Sequence, residues 1–210
     1  MRIAWFSPLP PHRSGIAAYS AELLPRLAAH DIEAFVDDGA GLDAPGRVPP
    51  VEGVTVRGAH DFPWRHARRP FDLVVYHVGN SEAHDYLWPY MVRYPGLVVL
   101  HDGQLHQARA QALIRQQREP DFRAEFAWCH PEVSPLLADL TLAGLGATLC
   151  YFWPMVHVPV QAARVAPPQC ASQACSPRKS GAWASNCASP GASTTSVACS
   201  RGTAANAASV

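Results

Sequence analysis

Two apolar runs of this chain each end on a histidine. Asp72–His77 ends on His77, while Leu97–His101 ends on His101 and is followed by Asp102. Such runs are typical of buried parallel strands, whose carboxyl ends meet at one edge of a sheet, so both imidazoles are expected beside the crevice where ligands bind. With an ordinary pKa of about 6.5, an imidazole there can donate hydrogen bonds or move a proton at neutral pH. The alternative is that Asp102 caps the next helix while His101 is merely packed.

A second candidate is the loop Ser14-Gly15-Ile16 near the N-terminus. It follows a short apolar strand, Ile3–Phe6, and a proline-rich connection, and it opens a predicted helix. Backbone N–H groups and the positive end of the helix dipole are therefore expected at the same sheet edge, where they can hold an anion. The alternative is an ordinary strand-to-helix turn in which Ser14 is the N-cap.

Metal and nucleophile chemistry has weaker support in the sequence. His101, Asp102 and His106 form an H-D-x3-H pattern, with His77 and His84 nearby in the sequence. None of these spacings gives the His-x3-His arrangement of a helical zinc site, and the six irregularly spaced cysteines fit neither a zinc ribbon nor a redox pair. No G-x-S-x-G nucleophile elbow is present. The sequence therefore predicts no metal site and no cofactor.

Strand-like and helix-like segments alternate from residue 1 to about residue 166. This order predicts an α/β fold, a Rossmann-like open parallel sheet with flanking helices. Pro25 is expected to bend the first helix, and Trp88-Pro89 to interrupt the second. The predicted strands are Ile3–Phe6, Ile32–Val36, Val54–Val56, Asp72–His77 and Leu97–His101, the last two covered on both faces; the predicted helices are Gly15–Ala29, Glu82–Arg93, Leu105–Arg118, Phe122–Cys129 and Val133–Cys150.

The composition indicates a globular domain without net charge. The 210 residues are 48% hydrophobic and 16% charged, and 17 basic residues balance 17 acidic ones. A chain with this balance gives no reason to expect a nucleic-acid partner. The apolar run after the first residues is too short for a signal peptide and is followed at once by prolines, which favours a cytoplasmic protein.

Residues 167–210 differ in composition from the rest of the chain. Apart from Trp183, Val197 and Val210 they contain no large apolar side chain, and they contain no acidic residue. Such a segment cannot bury enough surface to offset the entropy lost on ordering, so a disordered tail is predicted after a domain that spans residues 1–166. A native tail and a frameshifted or otherwise abnormal C-terminus both remain open.

One stretch is apolar enough to raise the question of a membrane span. Leu140–Ala163 contains no Asp, Glu, Lys or Arg. Gly144, Gly146 and Pro154 interrupt it, and no basic flank on one side sets a topology. A buried helix followed by a turn is therefore predicted, and membrane association stays an open alternative that the sequence does not predict.

Three segments of the chain resemble one known family. They are Arg2–Tyr19, Tyr76–Ser81 and Pro95–Asp102. Together they resemble the N-terminal domain of nucleotide-sugar glycosyltransferases of the GT-B class, in the group-four-like (group-one) subfamily. The resemblance covers about residues 1–166 and implies the acceptor-side, Rossmann-like half of that fold.

The resemblance also implies roles for individual residues. In that family the loop after the first strand faces the donor diphosphate and the acceptor, and the later histidine lies over the reacting sugar. A catalytic role is thereby implied for His101. Substrate or donor binding is implied for Ser14, Gly15, Ile16, His77, Asn80 and Asp102.

The activity that the resemblance implies is transfer of a sugar, of the hexosyltransferase type, from a nucleotide-sugar donor to an unknown acceptor. Enzymes of this class usually need no metal, and they bind the donor mainly through a second domain. This chain is therefore expected to be a truncated form with little or no turnover. The alternative is a non-catalytic Rossmann-like binding or interaction module.

Overall fold

The computed structural model describes residues 1–38, 51–145 and 151–163. A parallel sheet at its centre confirms the predicted α/β fold, and helices flank that sheet. The strands are β1 (Arg2–Phe6), β2 (Asp31–Val36), β3 (Val54–Gly58), β4 (Leu73–Val78) and β5 (Leu97–Leu100), and their order across the sheet is β3-β2-β1-β4-β5. The described α-helices are α1 (Gly15–Leu23), α2 (Phe62–Arg68), α3 (Leu87–Arg93), α4 (His106–Arg115), α5 (Glu119–Cys129), α6 (Leu136–Leu142) and α7 (His157–Ala162).

β1 is the central strand, and all five of its residues are buried. It pairs in parallel with β2, where Ile3 lies opposite Ile32, and with β4, where Ile3 lies opposite Leu73. Its side chains alternate between two apolar clusters, so that Phe6 enters one and Trp5 enters the other. A continuous apolar run is what a parallel strand covered on both faces requires.

An aromatic cluster fills the side of the sheet that carries Phe6. The Phe6 side chain is 0% exposed, and its ring centroid lies between 4.9 and 5.3 Å from those of Phe35, Phe62, Tyr76 and Tyr90. These residues come from β2, α2, β4 and α3. The cluster therefore joins four elements to the central strand.

Prolines determine where two of the helices begin and end. After α1 the chain continues as the 3-10 turn Leu24–Leu27, because Pro25 has no N–H to donate. The predicted helix Glu82–Arg93 is split into the 3-10 turn Glu82–His84 and α3, which carries Pro89 in its first turn, where an N–H has no intrahelical partner. Pro25 thus acts as the sequence predicts, whereas the second interruption falls at Asp85-Tyr86, before Trp88-Pro89, which lie inside α3.

Other helices depart from the predicted ones. α2 is not predicted from the sequence at all, and α6 is much shorter than the predicted helix Val133–Cys150. The end of that predicted helix, residues 146–150, lies outside the described residues, as does the predicted disordered tail at 167–210.

β5 lies at the edge of the sheet and none of its four residues is fully buried, which corrects the prediction that it is covered on both faces. It pairs with β4 on one side, and its Leu97 and Leu100 are 41% and 39% exposed. On its other side, the described residues pair only through a parallel bridge between Gly96 and Ala163, in which the Gly96 N–H donates to the Ala162 carbonyl at 3.3 Å. A run of leucine and valine indicates a strand, but it does not fix the number of neighbouring strands.

None of the helices in the described ranges has the length and apolar character needed to cross a membrane. The charge-free stretch Leu140–Ala163 instead contains the end of α6 and the short helix α7. α7 buries Pro159 and Ala162 and leaves Val160 58% exposed. The predicted buried helix is therefore found only in part, because one side of α7 is buried and the other is exposed.

Candidate functional site

Two histidines and a tyrosine meet at the carboxyl edge of the sheet. Nδ1 of His77, in β4, lies 2.8 Å from Nε2 of His101, which follows β5. The ring of Tyr19, on α1, is edge-on to His101 with the centroids 5.1 Å apart, and it lies 5.8 Å from the ring of His77. The structure thus brings together the ends of β4 and β5 and the helix that starts at Gly15.

Below this histidine pair lies a buried polar floor, which is formed by Trp5, Ser7 and Ser20. The ring of Trp5 lies 4.3 Å from that of His77, and its Nε1–H donates to Ser20 Oγ at 3.4 Å. Ser20 Oγ is in turn 2.7 Å from Ser7 Oγ, and both serines are 0% exposed. These hydroxyls hold the indole and, through it, the ring of His77 in place.

The buried histidines at this edge are held in their neutral form. Burial lowers the pKa of His77 to about 3, and the adjacent His101 and His84 act in the same direction. Burial also lowers the pKa of His84 to about 4, although a hydrogen bond to the Ser81 carbonyl acts in the opposite direction. Partial burial lowers the pKa of His101. At neutral pH all three imidazoles are therefore uncharged.

The hydrogen bond between the two rings has a preferred direction. In the described part of the chain, the buried Nε2 of His77 has no hydrogen-bond partner. A neutral imidazole has one N–H and one bare nitrogen, and an orphaned N–H is rarer in protein interiors than an unused acceptor. The favoured arrangement puts the proton on His77 Nδ1, which donates to His101 Nε2. His101 then carries its own proton on Nδ1, from where the exposed ring can donate to a ligand.

The loop that opens α1 offers backbone groups rather than side chains. Ser14 is the N-cap, because its Oγ accepts from the Ala17 N–H at 3.1 Å. Within the ranges described, the N–H groups of Gly15 and Ile16 have no acceptor, and Gly15 has open space where a Cβ would stand. The side chain of Ile16 is already engaged in packing. It contacts Gly79 so closely that a Cβ added to Gly79 would collide with it.

Asn80 and Asp102 shape the loops around the crevice. Asn80 Oδ1 accepts from the Ala108 N–H at 3.1 Å, in the first turn of α4. Asp102 Oδ1 accepts from the Gln104 N–H at 2.7 Å, and the N-cap of α4 is instead Leu105, whose side chain makes no capping hydrogen bond. The alternative that Asp102 caps this helix is therefore wrong. Contact of Asn80 or Asp102 with a ligand stays a prediction.

Sequence reasoning missed Tyr19 and Trp5 as parts of this site. Tyr19 follows Gly15 by four residues, which places both on the same face of α1. Trp5 shares a strand face with Ile3, and it lies beside the strand that carries His77. Helical periodicity applied outward from Gly15 would have found Tyr19, whereas Trp5 follows only from the pairing of β1 with β4, in which Trp5 lies opposite Val75.

The remaining candidates for metal or thiol chemistry are engaged elsewhere. Among the residues that the structure describes, no group of three His, Cys, Asp or Glu side chains could hold a metal ion. His106 lies apart, with Nε2 2.8 Å from Thr141 Oγ1 and Nδ1 3.0 Å from the Trp153 carbonyl. Cys129 is buried, and burial raises the pKa of its thiol to about 11, so little thiolate forms at neutral pH.

Replacing His77 with phenylalanine is expected to reduce the acid sensitivity of folding. The folded protein keeps His77 neutral down to about pH 3, whereas the unfolded chain takes up a proton below about pH 6.5, so stability is lost as the pH falls through that window. The His77→Phe variant should lose about 1.4 kcal/mol less per pH unit between pH 6 and pH 5. Urea unfolding at both pH values measures this difference. The exposed His157 supplies the control, His157→Phe, and an equal change in slope for both variants would contradict the assignment.

Comparisons with known proteins find no match for this chain. No family model matches the chain, and no curated protein and no solved structure matches it either. The residues at the carboxyl edge of the sheet are therefore the basis for a functional proposal.

Proposed function

We propose that this chain is the acceptor-side domain of a GT-B glycosyltransferase, which transfers a sugar from a nucleotide-sugar donor to an acceptor. The observation that carries the proposal is the hydrogen-bonded pair of His77 and His101 beside the start of α1. This pair lies at the carboxyl edge of a parallel sheet, which is where α/β folds bind their ligands. The resemblance of the three segments that form this edge to those enzymes adds the class of reaction.

In this proposal His101 contacts the reacting sugar. Its Nδ1–H donates to a sugar hydroxyl, and its Nε2 accepts from His77, which keeps the ring in one orientation. Tyr19, which is 44% exposed, offers an apolar wall on which the C–H face of a sugar ring can pack. The buried floor of Trp5 and Ser20 excludes water from below the pair.

The start of α1 holds the anionic part of the donor in this proposal. The N–H groups of Gly15 and Ile16 point away from the helix and are suited to a phosphoryl oxygen. Each such contact contributes about 0.3–1 kcal/mol when exposed, so this loop by itself binds weakly. In enzymes of this class, further basic groups for the leaving diphosphate come from the second domain. This domain by itself is therefore proposed to bind donor and acceptor weakly, with little or no turnover.

Nitrogen NMR of histidine-labelled protein tests the proposal directly. Titration with a panel of nucleotide sugars, free nucleoside diphosphates and simple glycosides is expected to move the signals of His101 and His77. The His101→Ala variant should bind about tenfold more weakly, the equivalent of losing one good hydrogen bond. The matched control is His157→Ala, at an exposed histidine on α7, which should bind as the wild type does.

Two outcomes would contradict this function. The first is a titration in which no compound of the panel moves the His101 signal, or in which both alanine variants bind equally. The second concerns turnover: release of free nucleotide from any nucleotide sugar at ordinary enzymatic rates would show that this domain is active without a second one.

A non-catalytic interaction module is the second candidate, and the edge strand β5 favours it. Leu97 and Leu100 are exposed on a strand whose outer side is largely unpaired within the described ranges. Exposed edges of this kind readily accept a strand from another chain. For such a module, light scattering should detect a dimer or a stable complex, and nucleotide sugars should leave the histidine signals unchanged. The two measurements together separate the two functions.

A further inference from the structure

A groove rich in arginine lies toward the opposite, amino edge of the sheet. It has a volume of about 430 Å³ and is lined by five arginines and two acidic residues, so positive charge exceeds negative charge by three. Arg2, Glu33 and Arg57 reach it from β1, β2 and β3, and α2 supplies Trp64 and Arg65. None of these residues belongs to the histidine site at the carboxyl edge.

A single buried carboxylate serves three of these arginines. Glu33, whose side chain is 7% exposed, accepts from Arg57 Nε at 2.8 Å and also pairs with Arg2 and Arg65. The second acid, Asp31, stands 3.9 Å from Arg2 Nε and 3.7 Å from Arg69, which is longer than a hydrogen bond. The carboxylates of the groove therefore leave part of the hydrogen-bonding capacity of the guanidinium groups unused.

One unused donor is deeply buried. Arg2 is 7% exposed, and its Nε has no hydrogen-bond partner among the residues of the described ranges. Leaving a charged donor unsatisfied away from water costs more than leaving a neutral one. A negative charge in the groove would offset part of this cost through space, without contact with the buried atom itself. The unmatched positive charge therefore favours an anionic ligand in the groove.

The mouth of the groove combines cationic and aromatic groups. The indole of Trp64 is 58% exposed, and the guanidinium carbon of Arg68 lies 4.7 Å from its ring centroid. The neighbouring Arg69 side chain is 73% exposed. Neither Arg68 nor Arg69 forms an ion pair with the buried Glu33 carboxylate. Among the described residues, the Arg69 side chain makes only the long contact with Asp31, so both guanidinium groups can bind a ligand.

We propose that this groove binds a small phosphorylated molecule, with its phosphoryl group among the arginines of β1 and α2. Guanidinium groups match phosphate oxygens in pairs, and the excess of three positive charges suits a phosphate ester or a diphosphate. The volume admits a ligand of about the size of a nucleotide. A nucleic acid fits less well, because the chain as a whole carries no net charge and the arginines form one groove rather than a stripe.

Calorimetric titration with inorganic pyrophosphate is the first test. The Arg68→Gln/Arg69→Gln variant is expected to bind pyrophosphate more than tenfold more weakly, since it removes two charged donors from the mouth. The matched control is Arg93→Gln/Arg118→Gln, which also removes two exposed arginines, one of them stacked on an aromatic ring, outside the groove. Equal losses in the two variants would overturn the proposal.

Arginine Nε NMR locates the binding independently of any variant. Pyrophosphate is expected to move the Nε–H signal of Arg2 and to leave the signals of His77 and His101 in place. Movement of the histidine signals alone would assign the binding to the carboxyl edge and would overturn the groove. A single-stranded oligonucleotide that binds more tightly than pyrophosphate, with the same loss in the Arg68→Gln/Arg69→Gln variant, would replace the small ligand with a nucleic acid.

Discussion

Replacing Phe6 with alanine is expected to lower the free energy of unfolding by about 3–5 kcal/mol. The ring is fully buried and packs against Phe35, Phe62, Tyr76 and Tyr90, which belong to four different elements. Its removal leaves a cavity that the surrounding rings cannot close, because each ring is fixed in a different strand or helix around β1. Urea unfolding followed by circular dichroism measures the loss.

Two comparison variants define what this result means. Phe6→Leu retains most of the volume and should cost less than half as much as Phe6→Ala. Phe152→Ala removes a ring that is 72% exposed, and the change should stay within about 0.5 kcal/mol. A Phe6→Ala protein as stable as the wild type would show that Phe6 is not at the centre of the core.

Replacing Glu33 with glutamine is expected to cost about 3–5 kcal/mol at pH 7. The carboxylate is buried and pairs with Arg2, Arg57 and Arg65 at the same time. The amide keeps the shape of the side chain but removes the one buried negative charge that these three guanidinium groups share. Urea unfolding at pH 7 gives the magnitude.

The pH dependence of this cost identifies its electrostatic origin. Burial works to raise the pKa of Glu33, but hydrogen bonds from Arg65, Arg2 and Arg57 outweigh it and hold that pKa below its ordinary value of 4.5. The carboxylate therefore stabilises the fold above about pH 4.5, and this stabilisation is lost as the pH falls through the lower, folded-state pKa. The difference between wild type and Glu33→Gln should shrink in that range. A difference that is independent of pH would mean that packing, not charge, explains the loss.

Three of the strands, β1, β4 and β5, could be predicted with most certainty because each carries a continuous apolar run. β1 and β4 carry such runs, and the structure pairs them at the centre of the sheet. β5 has the same pattern but lies at an edge with none of its residues fully buried, because an apolar run identifies a strand and not its place in the sheet. α2 could not be predicted from a seven-residue segment in which only Phe62 is buried.

The two sites also differ in how well the sequence predicts them. His77 and His101 could be placed together in advance, because both stand where parallel strands end. The groove at the other edge could not be predicted in this way. A glutamate within an apolar strand indicates that Glu33 needs a cationic partner, but Arg57 and Arg65 lie far along the chain, beyond a loop whose path no local pattern specifies.

The order of the strands also has a consequence for how the chain is made. Of the five strands, Arg2–Phe6 is synthesised first, yet it ends up in the middle, between Asp31–Val36 and Leu73–Val78. Its first neighbour is synthesised soon after it, but the second follows only after β2, β3 and α2. Until Val78 has emerged, the nascent protein carries a half-paired hydrophobic strand that other nascent chains can capture. Co-translational folding of this protein therefore depends on protecting that strand during the interval.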